Sequence, residues 1–318
     1  ALYVKLSYKM NLVDCNFFHN SAKQMGGAVY LHSIKKITIQ GTYFRENLAK
    51  HTGGALYCDN CTEIQCYNLT FIRNVAKNIR RHKIMFGGGI FIHWCIMFQV
   101  HNSYFQENLA NLKGGAICVH RTQIFAAIKS DFVQNVGKFG GAVYYSRINR
   151  IAIHNSYFVK NVATSEGNAI GLTTTKICSL KNSTFLRNIK ESSDEIIYFK
   201  KVELLVSINC MLENNNPSGI HIGYTDIIKI HNCIFKRGKS KRGAGLHAFK
   251  SKYVHLLNCY FLLNQAKEFG GSFDFFHVQM ISINNCCFNR NSAGKMGGGF
   301  VIDDATSLNI KNCSVGYN

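Results

Sequence analysis

One unit of about 27 residues, written twelve times over, constrains this chain more than any local motif in it. Each unit opens on a glycine pair and a small residue, as in Gly26-Gly27-Ala28, Gly53-Gly54-Ala55, Gly114-Gly115-Ala116 and Gly140-Gly141-Ala142. Each closes on an apolar residue, two variable residues and an asparagine, as in Phe44-Arg45-Glu46-Asn47. The closing residues are Phe17, Phe44, Phe71, Phe105, Phe132, Phe158, Phe185, Leu212, Phe235, Phe261, Phe288 and Val315. The second residue of the opening pair stands 17 positions before the closing residue, even where it is Asn168, Glu195, Ser218 or Ala244. Length varies only between the closing asparagine and the next pair, where the step is 13 from Asn74 to Gly87 and two from Asn215 to Pro217. Stacked units in register behave this way, since loops absorb insertions that strands do not.

Within the invariant stretch the apolar residues alternate as in strands. Examples are Val29 and Leu31 after the glycines, and Ile37 and Ile39 before the closing Phe. No sustained 3.6-residue period appears, and 27 residues hold three short strands but not a propeller blade, which takes roughly 40–50 residues. The expectation is an all-β chain, a single-stranded, right-handed parallel β-helix of about twelve coils. It would form one continuous solenoid over residues 1–318, with a loop insertion at 75–86. At about 4.8 Å per coil the rod would be about 55–60 Å long. Because Leu2-Tyr3-Val4 aligns with Val29-Tyr30-Leu31 and the chain closes on Asn318, it reads as an excerpt of a longer protein.

In a stack, columns replace motifs. The closing asparagines Asn20, Asn47, Asn74, Asn108, Asn135, Asn161, Asn188, Asn215, Asn264, Asn291 and Asn318, interrupted by Gly238, are expected to form a structural ladder. A second asparagine column three residues before the closing Phe includes Asn68, Asn182, Asn209 and Asn312. Of the four glycosylation sequons, those at Asn68, Asn182 and Asn312 fall in that column and read as structural, leaving Asn60 as the accessible candidate. The 13 cysteines mostly share a column with serine, as Cys15, Cys210, Cys233, Cys259, Cys286 and Cys313 alternate with Ser103, Ser130, Ser156 and Ser183. That pattern indicates small buried thiols, although stacked neighbours lie within bridging range. Cys58 and Cys61 form a lone CxxC, short of a zinc site, so no metal or cofactor is expected.

The formal net charge is +20, from 37 Lys and Arg against 17 Asp and Glu. Much of it gathers in the permissive corner, at Lys77, Arg80, Arg81 and Lys83 and again at Lys236, Arg237, Lys239, Lys241 and Arg242. These are the candidate ligand-binding residues, for a polyanionic glycan or another surface or filament protein; the same lysines would also serve simply to keep a rod soluble. Nucleic acid is not expected as a partner, and membrane contact only through flanking regions of the same chain. A column three after the glycine pair reads as an aromatic outer strip of Tyr3, Tyr30, Tyr57, Phe91, Tyr144 and Tyr198, with His32, Asp59, His93 and His120 two positions on. Ring stacking along the sheet or contact with a partner would each explain it. Catalysis is not expected. The adjacent acids Asp194-Glu195 and Asp303-Asp304 point to opposite faces of a strand rather than forming a dyad.

Gly27-Ala28-Val29, Gly54-Ala55-Leu56 and Gly115-Ala116-Ile117, joined to Phe17–Asn20, Phe158–Asn161 and Phe261–Asn264, resemble the repeats of chlamydial polymorphic outer-membrane proteins. Similar repeats occur in surface proteins of some eukaryotic microbes. The resemblance implies an extracellular or cell-surface β-helix acting as an adhesin. The regularity of the coils also suits a component of an extracellular filament or appendage.

Overall fold

The computed structural model describes residues 2–77, 85–189, 197–216 and 219–318. Every described strand pairs in parallel with its equivalent one coil away, so identical repeat positions lie on top of one another. The long sheet runs without a break from Leu2–Val13 to Phe300–Asp303, and a twelve-stranded sheet of three-residue strands carries the closing Phe. A third wall follows the ladder asparagine, and Ile189 bridges Asn216 in it. Six strands run from Ser21–Ala22 to Val162–Glu166, and three more from Lys239–Arg242 to Ser292–Ala293.

Three strands per coil were expected to be short; instead the first is twelve residues long, as in Ile90–His101. It merges the two alternating stretches across a bend. The bend residue has a left-handed backbone in every coil, for example Asn60, Trp94, Arg121, Arg147, Lys201 and Tyr224. Around it the alternation fails. In Ile90–His101, Cys95 points inward, Ile96 and Met97 both outward, and Phe98 inward again. The paired register skips the bend residue, and in two coils the strand divides there, into Ile220–Gly223 and Ile227–His231 and into Phe300–Asp303 and Ser307–Lys311.

Three further corners also use left-handed residues: the first glycine of each pair, the residue before the ladder asparagine, and the outer asparagine column. The second glycine has another duty. A Cβ on Gly54 would lie 2.0 Å from the carbonyl oxygen of Gly88 one coil on, so coils approach there more closely than a side chain allows.

The interior is filled by Phe, Ile, Val, Leu and Cys from all coils. Phe44, Phe71, Phe105, Phe132, Phe158 and Phe185 stack nearly parallel with ring centroids 4.5–5.0 Å apart. Leu212 interrupts the column, which resumes as Phe235, Phe261 and Phe288. Truncating one of these fully buried rings to alanine would cost about 3–5 kcal/mol.

Candidate functional site

The asparagine ladder belongs to the scaffold. The Oδ1 of Asn135 accepts both the backbone N–H and the side-chain N–H of Asn108, each at 3.0 Å. The Asn135 amide then donates to the carbonyl of Phe105 at 2.9 Å and to Asn161 Oδ1 at 3.0 Å. The same bonding runs from Asn20 to Asn215 and again from Asn264 to Asn318. A buried amide here has its hydrogen-bonding capacity met by the neighbouring coils, which leaves nothing for a ligand. The serine and cysteine column also does more than fill space. Ser103 N–H donates to Ser130 Oγ and Ser130 N–H to Ser156 Oγ at 3.2 Å, and Cys210 N–H donates to Cys233 Sγ at 3.4 Å. The column therefore selects for a small side chain with an acceptor atom.

All thirteen cysteines are free thiols. Burial pushes up the thiols of Cys58, Cys61 and Cys66, and that of Cys95 to about 12, which holds them protonated and inert. Among the described residues no three His, Cys, Asp or Glu side chains converge to hold a metal ion.

The outer asparagine column departs from expectation. Asn68, Asn182 and Asn312 are exposed, like Asn60, so corner geometry and accessibility go together. Asn182 gives its amide to Asn155 Oδ1 and accepts from Asn209, each at 3.1 Å, while Asn60 donates to Ser33 Oγ.

The aromatic strip does point out of the barrel, yet most of it is covered. Tyr57, Phe91 and Tyr144 are buried with Cys118 in a small second core, roofed by Met25, Phe86 and Phe139 from the residue before each glycine pair. The Lys113 ammonium sits 4.3 Å from the Tyr144 ring centroid and closes that roof. Only Tyr3 is widely open; Tyr30 and Tyr198 are half-buried. Beside the strip Asp59 is held between histidines of the adjacent coils, 3.1 Å from His32 Nδ1 and 2.9 Å from His93 Nδ1. His93 stacks on His120, whose imidazole is lowered to about 4 by burial, with nearby positive groups adding to the effect.

In later coils the same column turns polar. His247 Nδ1 lies 3.0 Å from His221 Nδ1, and its Nε2 is 3.7 Å from the fully buried Asp274, which Arg242 Nε contacts at 2.6 Å. Burial lowers His221 to about 3 and His247 to about 4, with His221 also disfavoured by its neighbour and His247 by Arg242. Both imidazoles are therefore neutral near pH 7.

The basic corner is largely spent on ion pairs. Lys236 and Arg237 both reach Glu213, at 3.1 and 3.8 Å, Lys241 lies 4.0 Å from Glu268, and Arg242 is bound to Asp274. Lys77 and Lys239 remain exposed. Arg80, Arg81 and Lys83, like Asp194 and Glu195, lie outside the described residues.

Basic groups without an acid partner among the described residues also occur along the bend of the long strand. Two hollows of about 400 Å³ each lie there and share Arg147 and Asn149. One is flanked by Trp94, Arg121 and Gln123, the other by Lys176, Lys201 and Tyr224. Among the described residues no acid pairs with Arg121, Arg147, Lys176 or Lys201. Sequence reading missed this face because the bend column accepts any residue type; the two successive outward positions beside it were the available signal. It also missed that Glu203 and Asp226 share a column on adjacent coils beside Tyr224. Both are solvent-accessible, and Lys252 binds Asp226 at 2.9 Å.

Two known family models match parts of this geometry. Residues 168–318 match the family described as the right handed beta helix region, and residues 102–120 match the Chlamydia polymorphic membrane protein repeat. The chain folds as a right-handed β-helix, and its repeats are similar to those of the Chlamydia polymorphic membrane proteins. The second match runs from Asn102 through Phe105, Asn108 and Gly114-Gly115-Ala116 to His120, and so spans one closing and one opening element of a polymorphic-membrane-protein-type coil. No curated protein and no solved structure matches the chain. Among the described residues no helix is long and apolar enough to cross a membrane.

Proposed function

We propose that this chain is a non-enzymatic β-helical rod displayed on a surface, where it binds anionic glycans in the manner of an adhesin. The observation that carries the reading is the division of labour between columns. Inward amides, hydroxyls, thiols and rings are consumed by the stack, while the surplus positive charge stands on outward columns that the scaffold does not need. A basic, rigid surface of this kind concentrates acidic polymers in a salt-dependent way. The repeat type supports surface display, and the open setting of Glu203 and Asp226 supports a binding rather than a hydrolytic role.

The test is retention of the purified rod on heparin and chondroitin sulfate resins, with uncharged dextran as control. Retention at low salt, eluted by moderate salt, is expected. Passage through both acidic resins at low ionic strength would overturn the reading, and so would turnover of any acidic polysaccharide. Electron microscopy of native particles distinguishes the filament alternative, which requires a periodic polymer.

A further inference from the structure

We infer that the seat of the acidic glycan is the groove along the strand bend between Trp94 and Lys201, not the asparagine-to-glycine corner; this rests on the binding function proposed above. Four observations meet there. The two hollows form one groove, since Arg147 and Asn149 line both. Bend residues of successive coils present Trp94, Arg121, Arg147, Thr174 and Lys201 in a single exposed column. Among the described residues Arg121, Arg147 and Lys201 of this column have no acid partner, whereas Lys236, Arg237, Lys241 and Arg242 of the corner face Glu213, Glu268 and Asp274. Neutral hydrogen-bonding groups, Gln123 and Asn149, stand between the cations in the neighbouring column.

These features select among acidic ligands. Four coil steps from Trp94 to Lys201 span about 19 Å at about 4.8 Å per coil. An extended pyranose chain advances by nearly the same step per ring, so one ring would meet one coil. Sulfate or carboxylate groups would face Arg121, Arg147, Lys176 and Lys201, and ring hydroxyls would face Gln123, Asn149 and Thr174. Trp94, 51% exposed and with the Arg121 guanidinium 5.1 Å from its ring, offers a flat apolar face at one end for a sugar ring. At the other end Glu203 and Asp226 repel further acidic groups, so the seat is closed on that side and gives the bound chain a direction.

A single-stranded nucleic acid fits less well, because it needs an aromatic platform for successive bases, and Arg121, Arg147, Thr174 and Lys201 supply none. A peptide cannot bind here by adding a strand, because the strands beneath this groove are paired on both sides.

Trp94 is the chain's single tryptophan, so its fluorescence reports directly on the groove. The experiment titrates heparin-derived and chondroitin sulfate oligosaccharides of four to eight rings into three proteins. These are the natural chain, a groove variant with Arg121→Asn, Arg147→Asn and Lys201→Asn, and a corner variant with Lys236→Gln, Arg237→Asn and Lys239→Gln. Asparagine is used at Arg121, Arg147, Lys201 and Arg237 because each has a positive φ, which asparagine tolerates. Thermal melting confirms that both variants stay folded. A saturable change in Trp94 emission is expected for the natural chain and the corner variant, with affinity falling at least tenfold in the groove variant.

Groove and natural proteins binding alike would overturn the assignment, as would loss confined to the corner variant; the glycan-binding function itself would survive either result. Absence of oligosaccharide binding by the natural chain, measured by calorimetry as well as fluorescence, would overturn both. Equal affinity for a single-stranded oligonucleotide of matched charge would overturn the glycan assignment in favour of a nucleic acid.

Discussion

The coils from Phe71 to Asn161 and those from Asn188 to Asn264 obey one repeat under different conditions. In the first group all three walls, the phenylalanine stack and the asparagine ladder are continuous. In the second Leu212 breaks the stack and Gly238 breaks the ladder, while the column that holds tyrosines elsewhere carries His221 and His247. The long sheet and the short phenylalanine sheet nevertheless pass through both without interruption. Two walls therefore hold the register through coils in which single letters of the stack and the ladder are lost. This is how a repeat protein behaves when each unit is stabilised by its nearest neighbours.

The largest expected effect separates the two groups at their ladders. Asn135→Ala would orphan donors on Asn108, the carbonyl of Phe105 and an acceptor on Asn161, for a loss of about 3–5 kcal/mol in guanidinium denaturation. Asn264→Ala should cost about 1–2 kcal/mol less, since its Oδ1 accepts only the Gly238 N–H. Equal losses would show that the break has no energetic reach.

The next effect is pH dependence, in which His221 and His247 of the interrupted group act beside His120 of the regular one. His221 and His247 have folded values of about 3 and about 4, below an unfolded value of 6.5, so the unfolded chain takes up more protons as pH falls. Their contribution is complete above pH 6.5 and is lost progressively below it, by roughly 2 kcal/mol each between pH 7.5 and 5. Melting curves of a His221→Gln, His247→Gln variant should be flatter over that range than those of the natural chain. An unchanged slope would refute the assignment.

A smaller effect tests whether the ladder break is a missing letter or a built backbone. A Cβ on Gly238 would meet the Ala244 carbonyl oxygen at 2.4 Å, so Gly238→Asn should destabilise by about 1–2 kcal/mol although it restores the repeat consensus. Stabilisation would show that the backbone there relaxes into the regular form. The smallest effect is at the surface of the regular group. Arg73→Ala removes ion pairs from an exposed guanidinium to the partly exposed Glu46 and Glu107, and the melting temperature should not move measurably.

The period, the closing Phe and the ladder asparagines were legible because each of these columns admits few residue types. The bend was not, because Ser33, Trp94, Arg121, Thr174 and Tyr224 all occupy it and share only a backbone angle. The aromatic strip was legible as outward-facing but not as covered. Its roof comes from Met25, Phe86 and Phe139, each five residues upstream of the ring it shields, a spacing visible in the sequence that attracts notice only once the corner is known. The basic corner was legible as charge, but its neutralisation by Glu213, Glu268 and Asp274 depends on which coils are adjacent.

The parallel pairing of every strand with the next coil has a mechanical consequence. The bonds between coils lie roughly along the rod axis, so a lengthwise pull loads the coil interfaces in series rather than sharing force among them. Compression presses the same interfaces together and is opposed by the stacked rings and the close glycine contacts. Such a rod resists pushing and bending more than stretching, and under tension it should yield at its weakest interface, which the comparison of coils places near Gly238.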